Sequence, residues 1–588
     1  MKRFSPLFSL ACFLFACSPA NSSLDCDRLY EVRDSIVIYH GEKTNDLVVH
    51  LSSEPPNFHP TIQSTTNRGA VLVYTHQALA AVNDEGGIEA DLAEGPPEVS
   101  EDGLTYTYRV HPDAKWEDGR PITAKDVLFS YKVATYEYTE SPAASVYLQF
   151  LADILLDEAD ERKLSLVMTE QYILNPHLTS NQVILDQAFF DPDRLMDKYS
   201  FTDLKEEDAA ATRDEKLIEW ASVFKSAKYG REVAFLQGGA GPYKIIAWEP
   251  GVQITIERKE NYWGKNMHKS YPDRITFKFI GDDQSLALQI KQQAIDVSTQ
   301  LSTAAFKELG ESEEGTCHYQ LMEVNRLSVA VLILNNRPDG IAHARIFDHK
   351  KVRKAFALSI PLDEILQTYM PSAKRLNSSV SIYHSDNNAN LPFIPFDQDQ
   401  ARVLLDEAGW KDSDQDGIRD QVIDGKKIPL EFSLSYANTQ QAITDIVERI
   451  RLELAQVGIK CNPEPLKGIS GKLVSKDYDA ILTALSMSSA PYDFHQLWYS
   501  ANWPNGSNFT GYSNPRIDEL SSQARVEQDA TKRRVLTDEI QQILYDDQPM
   551  ICLFNPTKKL AIHRRFSHAE ISLSRPYVYL PSLEVIRE

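Results

Sequence analysis

The clearest periodicity in the chain lies at 102–131, where Leu104, Tyr106, Tyr108 and Val110 alternate with Thr105, Thr107 and Arg109. Alternation of period two marks a strand with one face in a core and the other in water. Asp118-Gly119 then turns the chain, and Thr123 with Asp126 three residues on predicts a helix opened by a capping box. At 241–264, Ile245, Val252, Ile254 and Ile256 are expected on the buried face of a hairpin that turns at Pro250-Gly251. Ile443, Ile446, Val447, Ile450, Leu454 and Val457 recur at helical spacing, and Gly458 closes that stripe. The run "LVVHL" reads as a strand that stops before Pro55-Pro56, and "IKCNPEP" as another. The charged stretch 202–232 has helical character and is expected to be an exposed insertion. Strands and helices alternate with no internal repeat, which predicts an α/β architecture.

Charge narrows the functions open to such a body. The 588 residues carry a formal net charge of −23. An acidic surface of this size argues against nucleic acid, whose phosphates require a basic footprint. The amino-terminal end reads as an address. Lys2 and Arg3 precede an apolar run, Phe4 to Ala16, that is too short to cross a hydrocarbon core of about 30 Å. It ends in Leu-Phe-Ala-Cys, which resembles the bacterial lipobox and makes Cys17 the expected lipidation site after removal of a signal peptide, residues 1–16. An ordinary secretory signal with a chance cysteine is the alternative. Either way the chain is expected to be exported, as a periplasmic or cell-surface protein. Beyond Cys12 and Cys17, the cysteines at 26, 317, 461 and 552 are scattered without metal-ligand spacing, so no zinc site is expected.

One loop looks like a calcium site. In "GWKDSDQDGIRD", Asp412, Asp414, Asp416 and Asp420 alternate with small or polar residues, and Gly417 supplies a sharp turn. Its twelfth position is Ile423, where a calcium loop would place a bidentate glutamate. Asp and Gly favour turns without any ion. A plain turn and a weak structural ion site both fit, and neither would be the function.

Several blocks, in order, carry a family resemblance. "DGLTYTYRVHPDAKWEDGRPITAKDVLFSYK" resembles the signature block of the family 5 extracellular solute-binding proteins, the peptide- and nickel-type receptors of bacterial ATP-binding-cassette importers. "GAGPYKIIAWEPGVQITIERKENYWG" is similar to that family's central hairpin. "ALQIKQQAIDV" resembles its helix and turn, with Gln293 where glycine is usual. "LNNRPDGIAHARIFDHKKVRKAFALSI", "ARVLLDEAGWKDSDQDGIRD", "ELAQVGIK", "KDYDAIL" and "NFTGYSNPRIDEL" follow in the family's order, so the resemblance runs from about Leu47 to the C-terminus. It implies a two-lobe, periplasmic-binding-protein-like clamp (type II, large cluster) with an extra subdomain in lobe one. By comparison, residues 17–44 form a tether and lead-in, and 45–77, 231–327 and 550–588 form lobe one. Residues 78–230 would form the appended subdomain and 328–549 lobe two, with the chain crossing between lobes near Ser328 and Pro549. Such a clamp closes because its ligand touches both faces only in the closed state.

The resemblance also implies where ligand sits. Relatives that bind peptides hold the ligand backbone as an added strand. Matched residue by residue, one side falls on Ser64, Thr65, Thr66 and Asn67, and the other on Leu485, Ser486, Met487, Ser488 and Ser489. Tyr147 is expected to roof the cleft. The residues at 64–67 also fit an ordinary polar loop or helix cap. Those relatives hold the peptide ammonium with an aspartate four residues before a proline, and here that position, counted from Pro491, is Met487. Asp493, beyond the proline, reads as a helix cap. An ammonium buried without a counter-charge is costly, so a neutral or blocked ligand, an oligosaccharide-like ligand, a metal chelate or a peptide anchored elsewhere stays open beside an ordinary peptide. The implied role is a lipid-anchored, monomeric receptor that hands its ligand to the permease subunits of an importer, with no cofactor, resident metal or catalytic residue. A secreted hydrolase is the alternative from another class, although GxSxG and HExxH motifs are absent from the sequence.

Overall fold

A computed structural model of the chain describes residues 26–33, 35–62, 65–141, 148–206, 210–337, 346–423 and 425–587. The expected leader, Cys17, Ser64 and Tyr147 lie outside the described residues. Two large sheets organise the rest. The first has seven strands in the order Tyr243–Glu249, Gln253–Arg258, Arg274–Phe279, Leu47–Leu51, Val297–Leu301, Thr557–His563 and Tyr319–Asn325. The second has six, in the order Lys374–Arg375, Met550–Asn555, Ser328–Leu334, Ala480–Ser486, Glu431–Ala437 and Lys460–Leu466. Ser328–Leu334, the apolar run "SVAVLIL", is buried at every position, as a strand covered on both faces should be.

The local patterns explain the elements. Thr105–Arg109 buries Tyr106 and Tyr108 within a four-stranded sheet that also holds Lys163–Met168 and Leu151–Leu156. In the helix Ala124–Thr135, the Thr123 N–H donates to the Asp126 carboxylate at 2.9 Å, completing the capping box. The hairpin at 243–258 turns through Gly251, whose φ of +75° explains the glycine. Ile245, Ile254 and Ile256 are buried, but Val252 is 54% exposed because it sits in the turn ahead of the strand. The helix Gln441–Ala455 buries Ile446, Val447, Ile450 and Leu454, and Gly458 ends the run at φ +81°.

Two expectations change on contact with the structure. Strand Met550–Asn555 pairs with Ser328–Leu334, so it belongs to the second sheet and the return crossing falls at Asn555–Thr557 rather than at Pro549. The stretch at 202–232 is not an exposed insertion: Leu204, Leu217, Ala221 and Phe224 are buried against Phe129, Val133 and Phe190. Among the described residues most of its charged side chains lie on the exposed faces of short amphipathic helices. The lead-in is held to the body of the protein. Cys26 forms a disulfide with Cys317, Tyr30–Arg33 pairs with Ile36–Tyr39, and the Tyr39 N–H donates to the Ile586 carbonyl at 2.9 Å. Cys461 and Cys552 remain free thiols, and burial pushes each up to about 12.

Candidate ligand cleft

The two sheets exchange the chain at two adjacent places, Asn325–Ser328 and Asn555–Thr557. Asn555, buried, ties them together: its side-chain amide donates to the Arg326 carbonyl at 2.7 Å, and its amide oxygen accepts from the Ser381 hydroxyl at 2.5 Å. Paired strands crossing side by side are the arrangement that lets two rigid bodies turn about a short flexure. Three cavities surround this place. One of about 840 Å³ lies over the first sheet, lined by Leu51, Thr65, Thr66, Asn67, Gln300 and Lys558 among others. One of about 630 Å³ lies between the appended subdomain and the second sheet, lined by His177, Leu178, Leu485, Met487, Tyr492 and Asp493 among others. A third, of about 330 Å³, has Asp84, Leu327, Tyr383 and Ser489 in its wall.

The expected binding residues divide among these spaces. Thr65, Thr66 and Asn67 line the first cavity, Leu485 to Ser488 line parts of the second, and Ser489 faces the third. Thr65 is the N-cap of the helix Thr66–Leu72, its hydroxyl accepting from the Arg68 N–H at 3.4 Å. Thr66 accepts from Arg575 at 3.1 Å. Asn67 is buried, donating to the Ser53 carbonyl at 2.8 Å and accepting from Gln300 at 3.1 Å, so its hydrogen bonding is satisfied internally. Ser486 and Ser488 are exposed, whereas Ser489 is buried and donates to the Asn83 carbonyl.

Met487 lies against the crossing itself. Its N–H donates to the Leu327 carbonyl at 2.9 Å, and its sulfur receives the Ser381 N–H at 3.5 Å. Asp493 caps the helix Phe494–Trp498, accepting from the His495 N–H at 2.9 Å, and its other oxygen accepts from the Tyr172 hydroxyl at 2.8 Å. With Arg525 at 3.7 Å as well, this carboxylate is fully engaged. Among the described residues lining the second cavity it is the one carboxylate, so nothing there stands ready to meet an ammonium.

Residues that the sequence reading passed over also line the first cavity. Lys558 and Arg575 are in its wall, and Arg326, at the crossing, donates to the Ser486 hydroxyl at 3.4 Å. A signal for the lysine existed: "NPTKKLAIHRRFSH", at the return crossing, holds Lys558, Lys559, Arg564 and Arg565 without one acid in a strongly acidic chain.

The acidic loop is elsewhere, on the turn before the hairpin Asp420–Ile423 and Lys426–Pro429. Asp412, Asp414 and Asp420 bring carboxylate oxygens within 4.8 Å of one another. Lys427 stands 2.5 Å from Asp414 and 3.2 Å from Asp420, and the Ser413 hydroxyl donates to Asp420 at 2.7 Å. Protein groups therefore already meet much of this charge.

These features match known proteins. The model of the bacterial extracellular solute-binding proteins, family 5 Middle, matches residues 87–506. The chain belongs to that family. It is 23% identical over 575 residues to the oligopeptide-binding protein AppA of Bacillus subtilis, covering 96% of this chain and 94% of that one. The solved structure of that AppA, in complex with a nonapeptide, superposes with a TM-score of 0.71 at 20% identity over 92% of this chain and 99% of that one. NikA from Brucella suis, in complex with Fe(III)-EDTA, gives 0.72 at 20% identity over 92% and 99%. The fold is thus the two-lobe clamp of solute-binding proteins, with both large sheets and the double crossing in place. Among the described residues no helix is long and apolar enough to cross a membrane.

Proposed function

We propose that the chain is an exported solute receptor that captures a peptide between its lobes and delivers it to an ATP-binding-cassette importer. The observation that carries this reading is the pair of adjacent crossings tied by Asn555, with cavities opening on either side of it. Similarity to oligopeptide-binding AppA of Bacillus subtilis supports a peptide as the ligand class. In this reading lobe one comprises 45–77, 231–327 and the segment after Pro556, the subdomain comprises 78–230, and lobe two takes 328–555. Thr65, Thr66 and Leu485 to Ser488 contact the ligand from opposite sides as the cleft closes, with Ser64 and Tyr147 beside them. Acylation of Cys17 holds the monomer to a bacterial membrane, each buried CH₂ contributing about 0.8 kcal/mol. No step of this role requires catalysis.

Native mass spectrometry of freshly purified protein, followed by tryptophan-fluorescence and melting titrations with peptide pools, tests the ligand class. A co-purifying peptide, or a rise in melting temperature with peptide concentration, is expected. If no peptide changes either signal, the peptide receptor reading is wrong. Cys17→Ser should move the protein from the membrane fraction to the soluble one, and a variant that stays with the membrane rejects the lipid anchor.

A further inference from the structure

The first cavity has a charge arrangement that folding alone does not balance. Lys558, in the wall of this cavity, pairs across the ladder with Val324, and Arg326 follows the end of that strand at the crossing, close enough to act electrostatically on Lys558. Arg575 reaches the same cavity wall and donates to Thr66. Among the described residues none of these three cations has a carboxylate within ion-pair distance. The contrast with the next residue is direct: Lys559, on the opposite face, sits 3.2 Å from Glu323.

Acids do lie nearby, but they are turned elsewhere. Glu54, in the same cavity wall, accepts from the Trp248 indole at 2.8 Å. Asp84 accepts from the Ser572 hydroxyl at 2.7 Å and from the Leu573 N–H at 3.0 Å. Asp493 is taken by Tyr172 and Arg525. Burial, followed by Arg326 and Arg575, draws the Lys558 ammonium down to about 8, and no acid offsets them. Burial and then Arg575 act in the same direction on Arg326, against Tyr577. Arg326 and Lys558 are part-buried and Arg575 is exposed at the cavity rim; part-buried cations without a counter-charge are unfavourable until an anion arrives from outside. Guanidinium groups are suited to a carboxylate because their planar donors match its two oxygens.

We propose that Arg326, Lys558 and Arg575 form the ligand-anchoring subsite of this cleft and that it takes a carboxylate, so the ligand is held by its acidic end where Met487 leaves no grip on an amine. This rests on the receptor reading above. A peptide's terminal or side-chain carboxylate and a polycarboxylate chelator share the chemistry, and the test separates them.

The full mature chain is titrated by thermal shift and calorimetry with three probes: a random hexapeptide library with free C-termini, the same library amidated, and EDTA. The expected result is that the free-acid library binds at least tenfold more tightly than the amidated one. Lys558→Gln and Arg575→Gln should each weaken it about tenfold, and Lys559→Gln, which removes the same charge from the other face, should leave it unchanged. Circular dichroism of each variant without ligand confirms that the fold persists. Tight binding of EDTA with no response to either library also supports the carboxylate subsite, while removing the peptide ligand. Equal affinity for the acid and amidated libraries, or wild-type affinity in the Lys558→Gln/Arg575→Gln double variant, overturns the subsite and leaves the receptor standing. No response to any probe overturns both.

Discussion

The Tyr172 hydroxyl donates a 2.8 Å hydrogen bond to the Asp493 carboxylate, joining the appended subdomain to lobe two. Arg525 completes this junction: its guanidinium lies 4.8 Å from the Tyr172 ring centroid, and its carbonyl accepts the Ile173 N–H at 2.8 Å. The subdomain thus rests on both lobes, and this contact restrains the cleft. Tyr172→Phe removes the bridging bond while leaving the helix cap, and a bond to a charged acceptor contributes about 1.5–3 kcal/mol. Asp493→Ala also removes the cap, worth roughly 1 kcal/mol more. Melting should therefore rank wild type above Tyr172→Phe, and Tyr172→Phe above Asp493→Ala. Equal melting temperatures for wild type and Tyr172→Phe would show that the bond restrains nothing.

A second junction tests the same idea through the backbone. Gly86 has φ +85°, and a Cβ on it would stand 2.2 Å from the Ser489 carbonyl oxygen. An L side chain is disfavoured in that conformation and cannot occupy that space without moving one element. Gly86→Ala should therefore lower stability by at least about 2 kcal/mol, and it should expand the particle as the subdomain lifts from Ser489. Small-angle scattering and thermal melting measure the two effects. Unchanged values for both would mean that the approach of Gly86 to Ser489 is not part of the native state.

Much of the frame was legible because it rests on local periodicity. Alternation at 104–110, the capping pair Thr123 and Asp126, and the stripe from Ile446 to Leu454 each specify an element from a few neighbouring residues. Gln293 is a subtler case: it stands where glycine is usual in relatives, and its φ of +56° shows why. What the sequence concealed depends on long-range pairing. Whether Met550–Asn555 joins one sheet or the other is decided by its partner Ser328–Leu334, more than 200 residues away. The Cys26–Cys317 bond, spanning 291 residues, has no spacing rule to announce it. The cationic group escaped notice for the same reason, since Arg326, Lys558 and Arg575 meet only after both crossings are formed. Thr65 shows the opposite limit: a polar residue placed by resemblance in a cleft is also a helix cap.

The disulfide makes a prediction about the lead-in. Cys26 and Cys317 fasten the segment whose Tyr30 hydroxyl lies 2.8 Å from His318 Nδ1 and whose Tyr30 and Tyr39 rings stack at 5.7 Å. Closing a long loop stabilises a fold by about 2–4 kcal/mol. Cys317→Ser should cost a comparable amount and expose the chain between Arg33 and Gly41 to limited proteolysis, while the cleft keeps its ligand affinity. Loss of affinity with no new cleavage would assign the bond to the cleft instead.

Stability should also fall on mild acidification, and His59 supplies a measurable part of that fall. Its Nδ1 receives the backbone N–H groups of Thr61 and Ile62, each at 3.2 Å, so the ring proton belongs on Nε2, 2.9 Å from the Phe224 carbonyl. A second proton would have to displace those two donors inside a buried site. Burial chiefly, with Arg68 adding to it against the Phe224 bond, draws the imidazole down to about 4. The folded value lies below the unfolded one of about 6.5, so the unfolded chain binds the proton first as pH falls. The stabilisation is complete above pH 6.5 and declines toward pH 4, by up to about 1.4 kcal/mol per pH unit. His76 and His563, drawn down by burial to about 3 and about 2, act with the same sign. Asp91, raised by burial to about 6, opposes them at the acid end. Comparing variants cancels these other groups: His59→Gln should melt lower than wild type at pH 7.5, yet lose less melting temperature between pH 7.5 and 5.5. If the variant retains the full wild-type slope, His59 already carries its second proton in the folded protein, and the hydrogen-bond assignment around it fails.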